Sequence, residues 1–157
     1  IKLKQKQLNN TTKVLLKISP DITKKNISEL ATIALNQKID GVVLTNTTID
    51  RNKNLKSPNQ GELGGLSGKP LQQSSNFIIK EFYKIIEKKI PIIGVGGVFD
   101  GKSALDKIKS GASLIQLYTS MVYEGPYVAN KINKELELLL ETEGFENLKD
   151  AVGKDCI

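Results

Sequence analysis

Four short apolar runs, separated by amphipathic segments, constrain the fold of this 157-residue chain more than any other feature. Each run is rich in β-branched residues and bounded by polar residues or glycine, which is typical of strands buried in a parallel sheet. The runs comprise residues 14–18, 41–44, 91–95 and 113–118. Since crossovers between parallel strands are right-handed, we predict an α/β fold with about four parallel strands. This order fits either a small doubly wound sheet or one half of a (β/α)8 barrel, which needs about 250 residues when complete.

The segments between and after these runs repeat apolar residues at the helical period, so each predicts a helix that covers the sheet. Ser74 or Ser75 is a suitable N-cap for the second helix, and Asp100 for the third. Gly111 marks the end of the third helix, and Pro126 suits the first turn of the last one. The predicted buried faces contain Ile27, Leu30, Ala31, Ala34 and Leu35, then Ile78, Phe82, Ile85 and Ile86, then Ala104, Leu105 and Ile108, and finally Val128, Ile132, Leu136 and Leu140.

Composition excludes several kinds of site. The chain has no His, which excludes a Ser-His-Asp triad or a histidine metal site within it, and its single cysteine, Cys156, excludes a disulfide framework. No apolar run approaches the roughly 18 residues of a membrane helix. The net charge of +6 comes with lysines on predicted helix faces, which favours a solvated surface over a nucleic-acid site. These lysines are Lys24, Lys25, Lys80, Lys84, Lys107 and Lys109.

Each predicted strand ends in polar residues or glycine, and ligands of parallel α/β folds lie at those carboxyl ends. Lys17 interrupts an apolar run. It either snorkels out of the strand end or is a buried cation that holds an anion in a pocket. Residues 45–48 (Thr, Asn, Thr, Thr) either cap a turn or offer hydroxyls and an amide to a ligand.

Glycines after the third strand predict a phosphate site. Gly94, Gly96 and Gly97 would let backbone N–H groups approach a phosphate, although tight strand-to-helix turns also use glycine. Residues 118–120, at the end of the fourth strand, strengthen this interpretation, because the loops after the last two strands form that site in barrels. The chain lacks the Gly-x-Gly-x-x-Gly and Walker motifs of nucleotide folds. The long, aperiodic, glycine-rich segment 48–73 predicts a loop shaped for a ligand.

Five motifs occur in an order that resembles the second half of dihydroorotate dehydrogenases, most closely the quinone-reducing, membrane-associated class. They comprise residues 17–21, 40–48, 64–71, 91–98 and 111–119. The resemblance extends from about Val14 to the end of the chain. It implies that residues 1–157 are the C-terminal part of a single FMN-binding (β/α)8 TIM barrel whose N-terminal half is absent.

The resemblance also implies roles for individual residues. Lys17 and Thr45 would contact the flavin ring of FMN, and Asn46 and Thr47 would hydrogen-bond the orotate ring. The other cofactor contacts would come from Ser67 and Gly68 beside the cofactor, and from Gly96, Gly97, Tyr118 and Thr119 around its phosphate. The family's serine base belongs to the N-terminal half, so no catalytic base and no metal site are expected in this chain.

The implied function is FMN-dependent oxidation of (S)-dihydroorotate to orotate, with a quinone as electron acceptor, in de novo UMP biosynthesis. The resemblance places the protein at the cytoplasmic side of a bacterial inner membrane or at the mitochondrial inner membrane, held there by N-terminal residues absent from this chain. The chain opens at Ile1, and residues 1–10 have helical polarity without an obvious cap, so we expect a fragment that is inactive alone. Two alternatives remain. One is another FMN barrel, such as the related domain of dihydropyrimidine dehydrogenase, and the other is a non-catalytic half-barrel whose strand edges pair with another half.

Overall fold

The computed structural model describes residues 1–51 and 55–156, and it contains all four predicted strands. The strands are β1 (Leu15–Ile18), β2 (Gly41–Leu44), β3 (Ile92–Val95) and β4 (Leu114–Gln116). The helices are α1 (Lys2–Gln7), α2 (Lys24–Asn36), α3 (Gln72–Ile86), α4 (Gly101–Lys109), α5 (Thr119–Glu124), α6 (Val128–Thr142) and α7 (Leu148–Ala151). Two 3₁₀ turns cover Lys69–Leu71 and Lys154–Cys156.

The strands form one parallel sheet in the order β1-β2-β3-β4. When right-handed crossovers always advance in the same direction, every crossover helix lies on the same face of the sheet. A doubly wound sheet would reverse direction and cover both faces. The sequential order therefore excludes the doubly wound alternative and is that of a partial (β/α)8 barrel.

The two faces of the sheet differ in burial, as expected for part of a barrel. The helix-covered face carries Ile18, Leu44 and Ile92, which pack with Phe82 of α3 in the main core. On the other face, one residue from each strand lies beside the next across the sheet: Lys17, Val43, Ile93 and Leu114. Leu114, on the edge strand β4, is 60% exposed. Leu15, on the opposite edge strand β1, is 49% exposed. This uncovered face corresponds to the interior of a closed barrel.

Helix boundaries were predicted with mixed success. Asp100 is the N-cap of α4 as predicted, and its carboxylate accepts a hydrogen bond of 2.7 Å from the N–H of Ser103. The prediction of Ser74 or Ser75 as the cap of α3 was wrong, since that helix already begins at Gln72, after the turn that contains Pro70. The turn that contains Pro70 leads directly into α3, so the helix begins before the first residues of its apolar repeat.

The end of the sheet also differs from the prediction. Strand β4 stops at Gln116, and the short helix α5, which was not predicted, begins at Thr119. Pro126 lies in the turn before α6, which begins at Val128, rather than inside its first turn. In the described part of the chain, no helix has the length and apolar character needed to cross a membrane.

Candidate cofactor site

The carboxyl ends of all four strands converge on a cavity of about 380 Å³. Every residue to which the family resemblance assigned a cofactor or substrate contact lies on its wall. These residues are Lys17, Thr45, Asn46, Thr47, Ser67, Gly68, Gly96, Gly97, Tyr118 and Thr119. Five further residues, which were not predicted from the sequence, also line the cavity: Gly65, Leu71, Val95, Val98 and Leu117. The last four supply apolar surface, and in the sequence they are indistinguishable from core residues.

Lys17 projects from β1 on the uncovered face of the sheet, beside Val43 of β2. The expectation of a buried lysine is wrong for this chain, because the Lys17 side chain is exposed. The exposure follows from the open barrel face, since no further strands stand opposite β1. Lys17 is nevertheless one of the residues that line the cavity, on the face that a closed barrel would enclose.

The segment after β2 is fixed by backbone hydrogen bonds to both neighbouring strands. The N–H of Thr45 donates to the carbonyl of Val95 at 3.0 Å, and the N–H of Asn46 donates to that of Ile18 at 2.8 Å. Thr45 is 1% exposed, and its Oγ1 has no hydrogen-bond partner among the described residues. A buried unpaired hydroxyl costs about 1–3 kcal/mol, so this atom is a natural contact for a bound polar ligand.

Two strand-to-helix turns present free backbone N–H groups to the same cavity. Gly96 and Gly97 follow β3 with positive φ angles of 110° and 74°, and Tyr118 and Thr119 follow β4. Within residues 1–51 and 55–156, the N–H groups of these four residues donate to no backbone carbonyl. Successive unpaired N–H groups with positive φ form concavities that bind anions. The pair of turns is thus suited to a phosphate group.

Gly94 and Gly97 are required for different physical reasons. A Cβ on Gly97 would lie 2.5 Å from Cβ of Gln72 and 2.7 Å from its backbone nitrogen, so this glycine permits the start of α3 to approach the turn. A Cβ on Gly94 would lie 2.6 Å from Cδ of Lys107, on the helix-covered face. The prediction that Gly94 makes room for a phosphate is therefore wrong, because it makes room for a lysine side chain.

The loop after β2 is folded back to the sheet by a set of polar contacts. Thr48 and Leu66 form an antiparallel bridge, with N–H to carbonyl distances of 3.1 and 2.8 Å. The guanidinium of Arg51 donates to the carbonyls of Thr48 at 3.1 Å and of Gly64 at 2.6 Å. Thr48 Oγ1 also donates to the carboxylate of Asp21. These contacts return Ser67 and Gly68 to the cavity; the part of the predicted ligand loop at 52–54 lies outside the described residues.

Lys107 was predicted to be a solvated surface lysine, and this prediction is wrong. Its side chain is fully buried between α4 and α3. The ammonium donates to Ser75 Oγ at 3.0 Å and to Asn76 Oδ1 at 2.6 Å. Burial lowers the pKa of Lys107 from 10.5 to about 7, against a smaller opposing effect of the Asp106 carboxylate. Nothing in the sequence distinguishes this lysine from its exposed neighbours.

The parallel β/α units form part of a (β/α)8 barrel, and in such barrels a phosphate site commonly lies at the turns after the last two strands. A family model described as dihydroorotate dehydrogenase matches residues 1–140. The chain belongs to the dihydroorotate dehydrogenase family, as the sequence motifs indicated.

Individual relatives agree with this assignment. The chain is 47% identical to dihydroorotate dehydrogenase (quinone), mitochondrial, of Mus musculus over 142 residues, which are 90% of this chain and 36% of that one. It is 44% identical to the quinone enzyme of Rhodospirillum rubrum, covering 90% of this chain and 39% of the other. The crystal structure of ligand-free dihydroorotate dehydrogenase from Eimeria tenella superimposes with a TM-score of 0.87 at 40% identity, over 90% of this chain and 39% of that one. The chain thus spans roughly two fifths of the length of these relatives and resembles their quinone-dependent class.

Proposed function

We propose that residues 1–157 are the C-terminal part of one FMN-binding barrel domain, whose complete form oxidises (S)-dihydroorotate to orotate and passes the electrons to a quinone. Family membership and the quinone relatives support this reaction and, with it, a place in de novo UMP biosynthesis. One structural observation supports it most: around one cavity lie a buried hydroxyl and four backbone N–H groups that have no hydrogen-bond partner among the described residues.

The residues present fit FMN at both of its ends. The turns that contain Gly96, Gly97, Tyr118 and Thr119 offer the N–H donors that a phosphate monoester requires, and Thr45 Oγ1 offers a buried partner to the polar edge of a flavin ring. Bound FMN would supply the two-electron redox chemistry that amino-acid side chains lack. The protein contributes binding, orientation and charge.

The remaining polar residues of the wall are suited to the ring system and the substrate. The Lys17 side chain would place a cation near negative charge that develops on the ring, and exclusion of water from the complete barrel would strengthen this effect. The Asn46 side chain carries both donors and an acceptor, and the backbone hydrogen bond from its N–H to Ile18 fixes where the side chain leaves the main chain. Asn46 and Thr47, which both line the cavity, would hydrogen-bond dihydroorotate and orient it toward the cofactor.

The proton-abstracting base and the quinone contact are assigned to the part of the relatives that this chain does not match. We infer that the chain alone is inactive and that its complement supplies a serine base and any attachment to the membrane. The mouse relative is a mitochondrial protein, which supports an inner-membrane location if the source is eukaryotic. A bacterial source would place the protein at the cytoplasmic side of the inner membrane.

Replacement of the orphaned hydroxyl tests the cofactor assignment. In the complete barrel, Thr45→Val keeps the shape of the side chain and removes Oγ1, so the Kd for FMN should rise about fivefold to tenfold. The control is Thr32→Val, since that exposed hydroxyl bonds within its own helix to the Ser28 carbonyl. A complete barrel that folds cooperatively, retains no FMN once unbound flavin is removed by gel filtration and does not oxidise dihydroorotate would contradict the proposal.

A further inference from the structure

A chain of hydrogen bonds connects a buried cation to the end of β3. Lys107 lies on α4 with its side chain fully buried, and its ammonium donates to Ser75 Oγ and Asn76 Oδ1, both on α3. Ser75 Oγ in turn donates to the carbonyl of Val95 at 2.5 Å. That same carbonyl accepts the N–H of Thr45 at 3.0 Å. Two helices and two segments of the cavity wall therefore meet at Val95.

The cation fixes the direction of these bonds. In its charged form the Lys107 side chain has three donors and no acceptor, so the Ser75 oxygen has to accept from it. The single hydroxyl proton of Ser75 is then left for the Val95 carbonyl. Without the cation, that hydroxyl is free to rotate toward other acceptors. Lys107 thus orients a bond made by Ser75, although it does not itself touch the cavity wall.

Packing places the same group directly behind the turn at Gly96 and Gly97. The Lys107 stem lies against Gly94, where a Cβ would come within 2.6 Å of Cδ. Cβ of Ser75 lies 3.2 Å from the Cβ position of Gly96. Lys107 and Ser75 thereby support the backbone on both sides of Val95, immediately before the free N–H groups of the turn.

Retention of a lysine in this position is costly for stability. A buried ion costs several kcal/mol unless it is well compensated, and an apolar side chain of similar length would fill the same space. The described hydrogen-bond partners of Lys107 are neutral, while the nearby Asp106 carboxylate is bonded to Lys102 at 2.5 Å. A contribution to folding stability therefore does not explain the buried lysine. A structural requirement of the neighbouring turn 95–97 explains it better.

We propose that Lys107 is a positioning residue that, through Ser75, holds the turn 95–97 in the geometry that receives the phosphate group of the cofactor. The inference rests on the proposed function, since it assumes that FMN binds with its phosphate at this turn. It predicts that loss of Lys107 weakens binding of the phosphate more than binding of the ring.

Comparison of FMN with riboflavin, which lacks the phosphate, tests this role in the complete barrel. Lys107→Met should raise the Kd for FMN about tenfold, as expected for loss of a charged hydrogen bond, and leave that for riboflavin within about twofold. Ser75→Ala should produce the same pattern. Because both residues act through one hydrogen bond, the Kd of the double variant for FMN should not exceed the larger of the two single-variant values. The control is Lys102→Met, an exposed lysine of the same helix.

Three outcomes would overturn the role of Lys107: unchanged FMN affinity in Lys107→Met, equal weakening of both ligands, or additive effects in the double variant. If Lys107→Met does not fold, the FMN-to-riboflavin ratio of Ser75→Ala decides in the same way. A wild-type barrel that binds riboflavin as tightly as FMN would instead refute the phosphate site of the proposed function, and the inference with it. The two failures are therefore distinguishable.

Discussion

The hydroxyl of Thr119 donates a hydrogen bond to that of Ser67 at 2.9 Å across 52 residues of sequence. The bond joins the turn after β4 to the loop after β2, on the wall of the cavity. A Cβ on the adjacent Gly68 would lie only 3.0 Å from the methyl group of Thr119, so the two segments also pack closely. One side of the cavity is thus closed by a contact between segments that are distant in the chain.

Removal of this bond should loosen the cavity. Thr119→Val retains the packing and deletes the donor, so we expect the Kd for FMN to rise about fivefold, corresponding to a loss of about 1 kcal/mol. Fluorescence titration of the complete barrel with FMN measures this change. Thr142→Val is the control, because that exposed hydroxyl bonds only to the Leu138 carbonyl of its own helix. Equal affinities in wild type and Thr119→Val would show that the contact is incidental to binding.

Gly97→Val should abolish retention of FMN after gel filtration and lower the Tm. The added side chain would collide with Gln72 and would impose strain at a φ of 74°, so both the turn and the start of α3 have to shift. The control is Gly61→Val, because no described residue beyond its two chain neighbours has an atom within 4 Å of the added Cβ. A yellow Gly97→Val protein with wild-type absorbance would rule out this role of the turn.

Lys17→Ala in the complete barrel should slow reduction of the flavin by dihydroorotate more than it weakens substrate binding. The reason is that a cation on the cavity wall contributes most when negative charge develops on the ring. Stopped-flow measurement of flavin bleaching at several dihydroorotate concentrations separates the two effects. Lys25→Ala, at an exposed position of α2, provides the control. Reduction rates within about twofold of wild type would mean that Lys17 only extends into solvent.

Much of this site could be predicted from the sequence, because the carboxyl ends of parallel strands all lie at the same edge of the sheet. Thr45, Asn46 and Gly96 stand directly after apolar runs, so the strand pattern alone brought them together. Tyr118 was predicted inside the last strand, whereas the strand ends at Gln116 and a helix of six residues follows, too short to show a helical period.

What the sequence could not predict depends on contacts between distant segments. Lys107 has the sequence context of any lysine on an amphipathic helix, and its burial becomes visible only when Gly94 and Ser75 stand opposite it. Arg51 likewise binds carbonyl groups of a loop that has no period. Neither contact leaves a pattern in the local sequence.

Asp40 should make the stability of the fold sensitive to acid. Its carboxylate accepts hydrogen bonds from Lys2 Nζ at 2.5 Å, Val14 N–H at 3.0 Å and Lys13 Nζ at 3.2 Å. These bonds, that from Lys2 foremost, hold the pKa of Asp40 well below its usual value of 3.8. Since the folded state favours the ionised form, the stabilisation is complete above the usual pKa and is lost as pH falls through the lower, folded-state pKa.

Urea unfolding of the complete barrel as a function of pH measures this effect. Asp40→Asn should lower the urea midpoint near neutral pH, and the difference from wild type should shrink as the pH falls below about 4. Asp155→Asn is a matched control, because this half-exposed carboxylate lies 3.8 Å from its lysine partner, Lys109, and forms a looser ion pair. A constant difference between Asp40→Asn and wild type across the acid range would contradict the assignment.

The open face of the sheet determines how the chain should behave alone. The edge strands β1 and β4 lack outer neighbours among the described residues, and Leu15 and Leu114 expose apolar surface beside those edges. Unpaired strand edges next to an open apolar face promote association. We therefore expect the isolated chain to dimerise, aggregate or require a complementary half-barrel.

Sedimentation velocity, recorded at the visible absorption of flavin, tests most directly whether this chain is one part of an FMN-binding barrel. The chain is run alone and together with a co-expressed N-terminal half from a quinone-dependent relative, each with added FMN. We predict that flavin sediments with the one-to-one complex, while the chain alone forms larger species. A cooperatively folding monomer of 17.2 kDa, with no flavin in any complex, would contradict the account.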